Sequence, residues 1–203
     1  MLLFLDVISP LSEFTLIFDN KILINKKILL TKEEKLSDNI ISVFQEIDRE
    51  FKVLKNLKKI IITIGPGSYT NLRIGASFVA GIKYASNVRV CTLSVNDLLS
   101  FLITKHKLNN SVLYLETANK QNFLCIKKNY DHHDYIKVDK ENYIFDEQIN
   151  TVFYNNNQLI TNTKNIKHVK FSILQIVMEN HSNLVFDHCL IKPIYISNNK
   201  ILN

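Results

Sequence analysis

Ile60-Ile61-Ile62-Thr63-Ile64-Gly65-Pro66-Gly67-Ser68-Tyr69-Thr70-Asn71-Leu72-Arg73-Ile74-Gly75 is the stretch on which the fold turns. All four glycines of the 203-residue chain fall between positions 65 and 81. Glycine admits positive φ and leaves room for a close approach. An apolar run precedes the glycines and a helical pattern follows them. The order is therefore strand, tight turn, helix N-terminus, with backbone N–H groups converging on one spot. Pro66 fixes φ in that turn, both neighbouring glycines can supply positive φ, and Ser68 and Thr70 are candidate helix caps.

Three physical readings of this window stand side by side. The first is a phosphate or nucleotide loop. The Lys-Ser/Thr of a P-loop is missing, however, and the glycine spacing is not that of a dinucleotide fingerprint. The second is a purely structural strand-to-helix turn. The third concerns packing: Gly75, Ala76, Ala80, Gly81 and Ala85 alternate with Phe78, Val79 and Ile82. A helix with small or apolar residues on several faces is covered on several faces. One face would meet the chain's own sheet, and another a neighbouring helix or a second polypeptide.

Outward from the window, residues 2–7, 12–18 and 22–30 read as strands, the last two joined by a turn at Asp19-Asn20-Lys21. Thr31-Lys32-Glu33-Glu34 has capping-box form and predicts a helix over 32–51. Leu36, Ile40, Val43, Phe44, Ile47 and Phe51 form its apolar stripe. Residues 58–64 read as a central strand, 70–85 as a second helix and 88–93 as a strand. A third helix is capped by Ser94-Val95-Asn96-Asp97 and runs to about 107. Strands at 112–117 and 121–128, loops at 130–134 and 155–157, a helix at 171–179 and an extended tail at 191–197 complete the reading. No sequence repeat of fixed period is visible. The pattern predicts an α/β fold with mixed sheets.

With 46% hydrophobic residues the chain can bury a substantial core, and no stretch approaches a membrane span. Asp6 interrupts the first apolar run, which reads as a buried strand and not a signal peptide. Cys91, Cys125 and Cys189 are far apart and read as reduced core residues, which points to the cytoplasm. The net charge of +6 comes from 25 basic and 19 acidic residues, with the lysines scattered. It permits an acidic partner without marking a nucleic-acid groove. The histidines (106, 132, 133, 168, 181 and 188) lack helical i, i+4 pairing, so no metal site is expected. Ser68 lacks the surroundings of a nucleophile elbow.

The eleven residues from Gly65 to Gly75, followed by Ala80-Gly81, resemble the signature Gly-Pro-Gly-Ser-Phe-Thr-Gly-Leu-Arg-Ile-Gly of the TsaB (YeaZ-like) family. That family is the dimerization subunit of the bacterial tRNA threonylcarbamoyladenosine synthase. Leu93-Ser94-Val95-Asn96-Asp97-Leu98 and the tail Lys192-Pro193-Ile194-Tyr195-Ile196-Ser197 resemble further landmarks of the family. Tyr69 stands for Phe and Asn71 for Gly; Asn tolerates the left-handed region better than most residues. Val7-Ile8 replaces the usual Thr-Ser after Asp6. In actin-like ATPases the position of Asp6 holds a metal-water carboxylate, and here it reads as a vestige.

The resemblance implies an actin/Hsp70/sugar-kinase-like fold with two mixed-sheet lobes. Residues 1–108 would form the first lobe and 109–203 a smaller, divergent second lobe. It implies a non-catalytic subunit that binds a catalytic, metal-carrying paralogue of TsaD type. That partner modifies the adenosine next to the anticodon. A small ATPase of TsaE type joins the pair, and tRNA is met through the complex. No cofactor of its own is implied, with ATP or ADP at the junction of the complex. The partner interface would draw on Leu36, Ile40, Val43, Phe44, Ile47, Leu72, Gly75, Ala76, Phe78, Val79, Gly81 and Ile82. The same surface would serve a homodimer. Gly65, Pro66, Gly67, Ser68, Tyr69, Thr70 and Arg73 would form the structural or nucleotide loop. A kinase-like ATP-binding phosphotransferase and an RNA-binding module are the alternatives.

Overall fold

The computed structural model describes residues 1–31, 34–118, 120–129, 132–138, 145–155, 166–187, 190–197 and 200–202. Strand β1 (Leu2–Asp6) is buried along its whole length, as a central strand must be. It pairs antiparallel with β2 (Glu13–Phe18), which pairs antiparallel with β3 (Lys21–Lys27). Asp19 and Asn20 sit at φ 50° and 58°, the conformation that a two-residue hairpin turn requires. On its other side β1 runs parallel to β4 (Lys59–Thr63), and β4 parallel to β5 (Arg89–Leu93). The order of the first sheet is β3-β2-β1-β4-β5.

The second sheet repeats this plan. Strand β6 (Ser111–Glu116) pairs antiparallel with β7 (Asn122–Asn129), and β7 with β8 (His132–Val138). Beyond β6 lie β9 (Thr151–Tyr154) and then β10 (Lys167–Lys170), both parallel. Read as β8-β7-β6-β9-β10, the second order is the first again. The repeat is in topology, where the sequence shows none. The actin-like expectation of two mixed-sheet lobes holds.

Helix α1 (Leu36–Phe51) and the short α2 (Val53–Asn56) follow β3. Helix α3 (Tyr69–Ala85) follows β4, and α4 (Val95–His106) follows β5. In the second lobe α5 (Ile173–Asn180) follows β10. Among the described residues no helix stands between β8 and β10, so this lobe carries less helix than the first. Helices α4 and α5, each placed after the fifth strand of its sheet, pack on each other. Lys105 Nζ lies 2.6 Å from Glu179 Oε1 across that contact. One apolar core runs through this junction, from Leu3, Phe4 and Leu5 to Leu98, Leu113, Phe153 and Ile176. The tail closes in a β11 (Tyr195–Ser197) and β12 (Lys200–Leu202) hairpin.

Several sequence expectations need correction. Helix α1 starts at Leu36 and not at 32; Lys32 and Glu33 lie outside the described residues. Glu34 does accept from the Thr31 N–H at 2.8 Å, but this is a turn ahead of the helix. The helix-starting contact is made by Asp38, whose carboxylate accepts from the Lys35 N–H at 2.9 Å. His132 to Asp134, expected in a loop, belong to β8; Tyr130, Asp131, Asn156 and Asn157 lie outside the described residues. Strands β9 and β10 are additions to the sequence reading.

Under α1 and α3, the rings of Phe14, Phe44 and Phe78 meet at centroid separations of 5.2 to 5.8 Å. Phe44→Ala should cost about 3–5 kcal/mol in urea unfolding, since it empties the centre of that cluster. A cost below about 1 kcal/mol would show that α1 is not packed this way.

Candidate partner-docking face

The glycine turn is built for close contact with its own chain. Gly65 has φ 111°, and it is the only positive-φ glycine among the described residues. A Cβ there would lie 2.7 Å from the Ile194 carbonyl oxygen and 3.1 Å from Leu72 Cδ1. The Gly65–Pro66 peptide is cis. Of the two glycines able to supply positive φ only Gly65 does so; a Cβ on Gly67 would lie 3.2 Å from Ile8 Cγ2, so its absence makes room for Ile8. The Gly65 carbonyl accepts from the Val95 N–H at 3.0 Å, and the Ile64 carbonyl from the Ile194 N–H at 2.7 Å. Ser68 caps α3 by accepting from the Asn71 N–H at 3.4 Å, whereas Thr70 lies inside the helix and is exposed.

The turn thus launches α3 flat against the sheet. Leu72, Gly75, Val79 and Ile82 form its buried side. A Cβ on Gly75 would sit 2.8 Å from Val7 Cγ1, so this glycine sets the distance between α3 and the end of β1. From α1, Leu36, Ile40, Phe44 and Ile47 are buried in the same core. These eight of the twelve expected interface residues therefore pack within the chain. Val43, Ala76 and Phe78 are half-buried, and Gly81 is exposed with nothing within 4 Å of its would-be Cβ.

What faces outward overlaps the expected set at Gly81, and Ile40 and Phe78 of that set also line the groove between α1 and α3. On α3, Thr70, Arg73, Ser77, Ala80, Gly81 and Tyr84 are exposed at three- and four-residue spacing, and Tyr84 is 96% exposed. Between this face and α1 lies a groove of about 590 Å³. Its lining includes Ile41, Tyr69, Arg73, Ile74, Ser77 and Phe78. Ile41 is 57% exposed and Tyr69 56%. The Arg73 guanidinium carbon lies 5.3 Å from the centroid of the Tyr69 ring, and that ring lies 4.6 Å from the ring of Tyr195. Large apolar side chains are here held open beside small residues, a contiguous exposed patch of the kind that marks interaction sites. Ile41, Ile74 and Tyr84 were missed in the sequence because they lie off the main apolar stripes. An apolar residue one step off a stripe was the available signal.

Asp6, read in the sequence as a vestige, is buried. Its Oδ1 accepts from the Ile8 N–H at 3.0 Å, the Ser9 N–H at 3.3 Å and Thr63 Oγ1 at 3.0 Å. Loss of water raises its pKa, and these hydrogen bonds only partly oppose the rise. Nearby Glu13 is also raised, first by burial and then by the charge of Asp6. Among the described residues no group of three or more His, Cys, Asp or Glu is arranged to hold a metal ion. Cys91 and Cys125 are core residues, and Cys189 and His188 lie outside the described residues. No helix of the described residues is long and apolar enough to cross a membrane.

Residues 31–179 match the family model described as TsaD: tRNA N6-adenosine threonylcarbamoyltransferase. The chain belongs to this family. Its fold is that of YeaZ from Pseudomonas aeruginosa, at a TM-score of 0.62 and 12% identity over 96% of this chain and 99% of that one. A second structure matches at a TM-score of 0.62 and 13% identity, over 97% of this chain and 99% of that one. It is described as an uncharacterized protein with similarity to peptidase YEAZ from Pseudomonas aeruginosa. No curated protein matches the chain. Family and fold together give it a YeaZ/TsaB-like character and tie it to threonylcarbamoyladenosine formation in tRNA.

Gly75→Leu must displace Val7 and should lower the melting temperature sharply, whereas Gly81→Leu should melt at or above the parent because a mid-helix glycine costs about 1 kcal/mol. Equal melting of the two would contradict the inward and outward assignment. Asp6→Asn keeps an oxygen acceptor and removes the buried charge. Because the folded pKa of Asp6 is raised, its protonated form is the stabilising one, and its contribution fades as pH rises through that value. The variant should therefore gain on the parent in urea unfolding from about pH 4 upward and converge with it below.

Proposed function

We propose that this chain is the non-catalytic dimerization subunit of a tRNA threonylcarbamoyladenosine synthase. It docks the catalytic paralogue of TsaD type through the α1/α3 face, and the complex modifies the adenosine next to the anticodon. The observation that carries this reading is the two-sidedness of α3. Leu72, Gly75, Val79 and Ile82 hold it to its own sheet, while Arg73, Ser77, Ala80, Gly81 and Tyr84 stay in the open beside an apolar groove. Small residues let a partner helix approach closely, and Ile41 and Tyr84 supply apolar anchors. In the absence of the catalytic paralogue, the same face pairs two copies of this chain. The interface should bury about 1,600 Å² or more in total, with an apolar centre. A small ATPase of TsaE type joins at the junction with ATP or ADP, and tRNA is engaged by the assembled complex. Burial of Asp6 among its own turn's donors also favours a supporting over a catalytic role for this subunit.

Gly81→Leu and Ile41→Glu place bulk or charge on the open face without entering the core. Each should fold normally, lose at least tenfold in affinity for the catalytic paralogue, and reduce threonylcarbamoyladenosine in tRNA hydrolysates from cells carrying only that variant. Parent-level affinity and full modification by both would remove the reading.

A further inference from the structure

The last part of the chain returns from the second lobe to the first and touches it at several described points. Asp187 bridges to the edge strand β5, with the Val90 N–H donating to the Asp187 carbonyl at 2.9 Å and the reverse bond at 3.1 Å. Beside it, Lys59 Nζ lies 4.6 Å over the centroid of the Phe186 ring. Ile194 then donates its N–H to the Ile64 carbonyl at 2.7 Å, and its own carbonyl fills the space where Gly65 would carry a Cβ. Next in sequence, Tyr195 lays its ring against Tyr69, the first residue of α3, at 4.6 Å and an interplanar angle of 47°. Tyr69 in turn lies under the Arg73 guanidinium, and both line the groove.

We infer that this returning segment is a strap that shapes the docking groove, with Tyr195 as its positioning residue; the inference rests on the docking role proposed for the α1/α3 face. The reasoning is mechanical. Tyr69 sits at a helix terminus, where backbone order is weakest, and half of its surface is exposed. A ring at that place keeps one orientation only if something holds it. The Tyr195 ring does so, and the ring itself is fixed through Ile194 to the end of β4. Tyr69 then fixes the guanidinium of Arg73 by a cation–π contact. The requirement for glycine at position 65 acquires a second reason: any side chain there would push the strap off the turn and release the groove's rim.

The test uses the full chain and its purified catalytic paralogue. Tyr195→Leu keeps apolar bulk and removes the ring face; Tyr195→Phe keeps the ring. Tyr195→Leu should melt close to the parent, show faster deuterium uptake over residues 69–73, and bind the paralogue about fivefold to tenfold more weakly. Tyr195→Phe should restore both properties. Tyr69→Leu cuts the same contact from the other side and serves if Tyr195→Leu does not fold. Unchanged uptake, unchanged affinity, or a Tyr195→Phe variant as weak as Tyr195→Leu overturns the inference. Gly81→Leu run in parallel separates the two levels. If it abolishes docking while Tyr195→Leu does not, only the strap falls; if both dock normally, the docking role falls and the strap with it.

Discussion

The close approach of α3 to the end of β1 is the constraint on which the rest depends. Only a residue without a Cβ fits at position 75, because Val7 occupies the space. Seen from the other end, only glycine fits at position 65, where φ is 111° and a tail carbonyl lies 2.7 Å from any added carbon. These two positions fix where α3 begins and how deep it lies. Once that is set, the helix cannot roll, and its remaining residues are divided into a buried side and an open side. The open side is then a rigid surface, displayed without the ordering cost of a mobile loop.

The duplicated strand order shows how the chain economises on the rest. Each sheet has three antiparallel strands followed by two parallel ones. The helices after the fifth strands, α4 and α5, bury the joint between lobes. With the joint occupied in this way, α1 and α3 of the first lobe are left on the outside. At the end of the first strand Asp6 turns its oxygen to Ile8, Ser9 and Thr63 and holds the β1 end together. The buried Asp6 carboxylate is thus part of the support for the β1 end that α3 packs on.

Much of this was legible in the sequence, for physical reasons that differ by element. The glycine turn could be read because steric need leaves a residue-type signature. The Ser94–Asp97 box could be read because its two side chains make reciprocal bonds, Ser94 N–H to Asp97 Oδ2 at 2.7 Å and Asp97 N–H to Ser94 Oγ at 3.3 Å. The start of α1 was displaced because Lys35 is not a capping residue type, and the Asp38 contact leaves little pattern. Strands β9 and β10 are four residues each, too short for a period to show. The division of α1 and α3 into buried and open residues was harder to read, for a deeper reason. Periodicity finds the apolar stripe, and a stripe such as Leu36, Ile40, Phe44 and Ile47 goes first to its own core. Ile41 and Tyr84 break the pattern, and only the fold tells which breaks face water.

The most direct measurement is the reactivity of Tyr84 toward a tyrosine-modifying reagent, read by mass spectrometry in the isolated chain and in complex with the catalytic paralogue. Tyr84 is almost wholly exposed on the open side of α3. Docking through the open side of α3 gives rapid modification in the isolated chain at low concentration and strong protection in the complex. Equal modification in both, with protection appearing elsewhere on the chain, would contradict it.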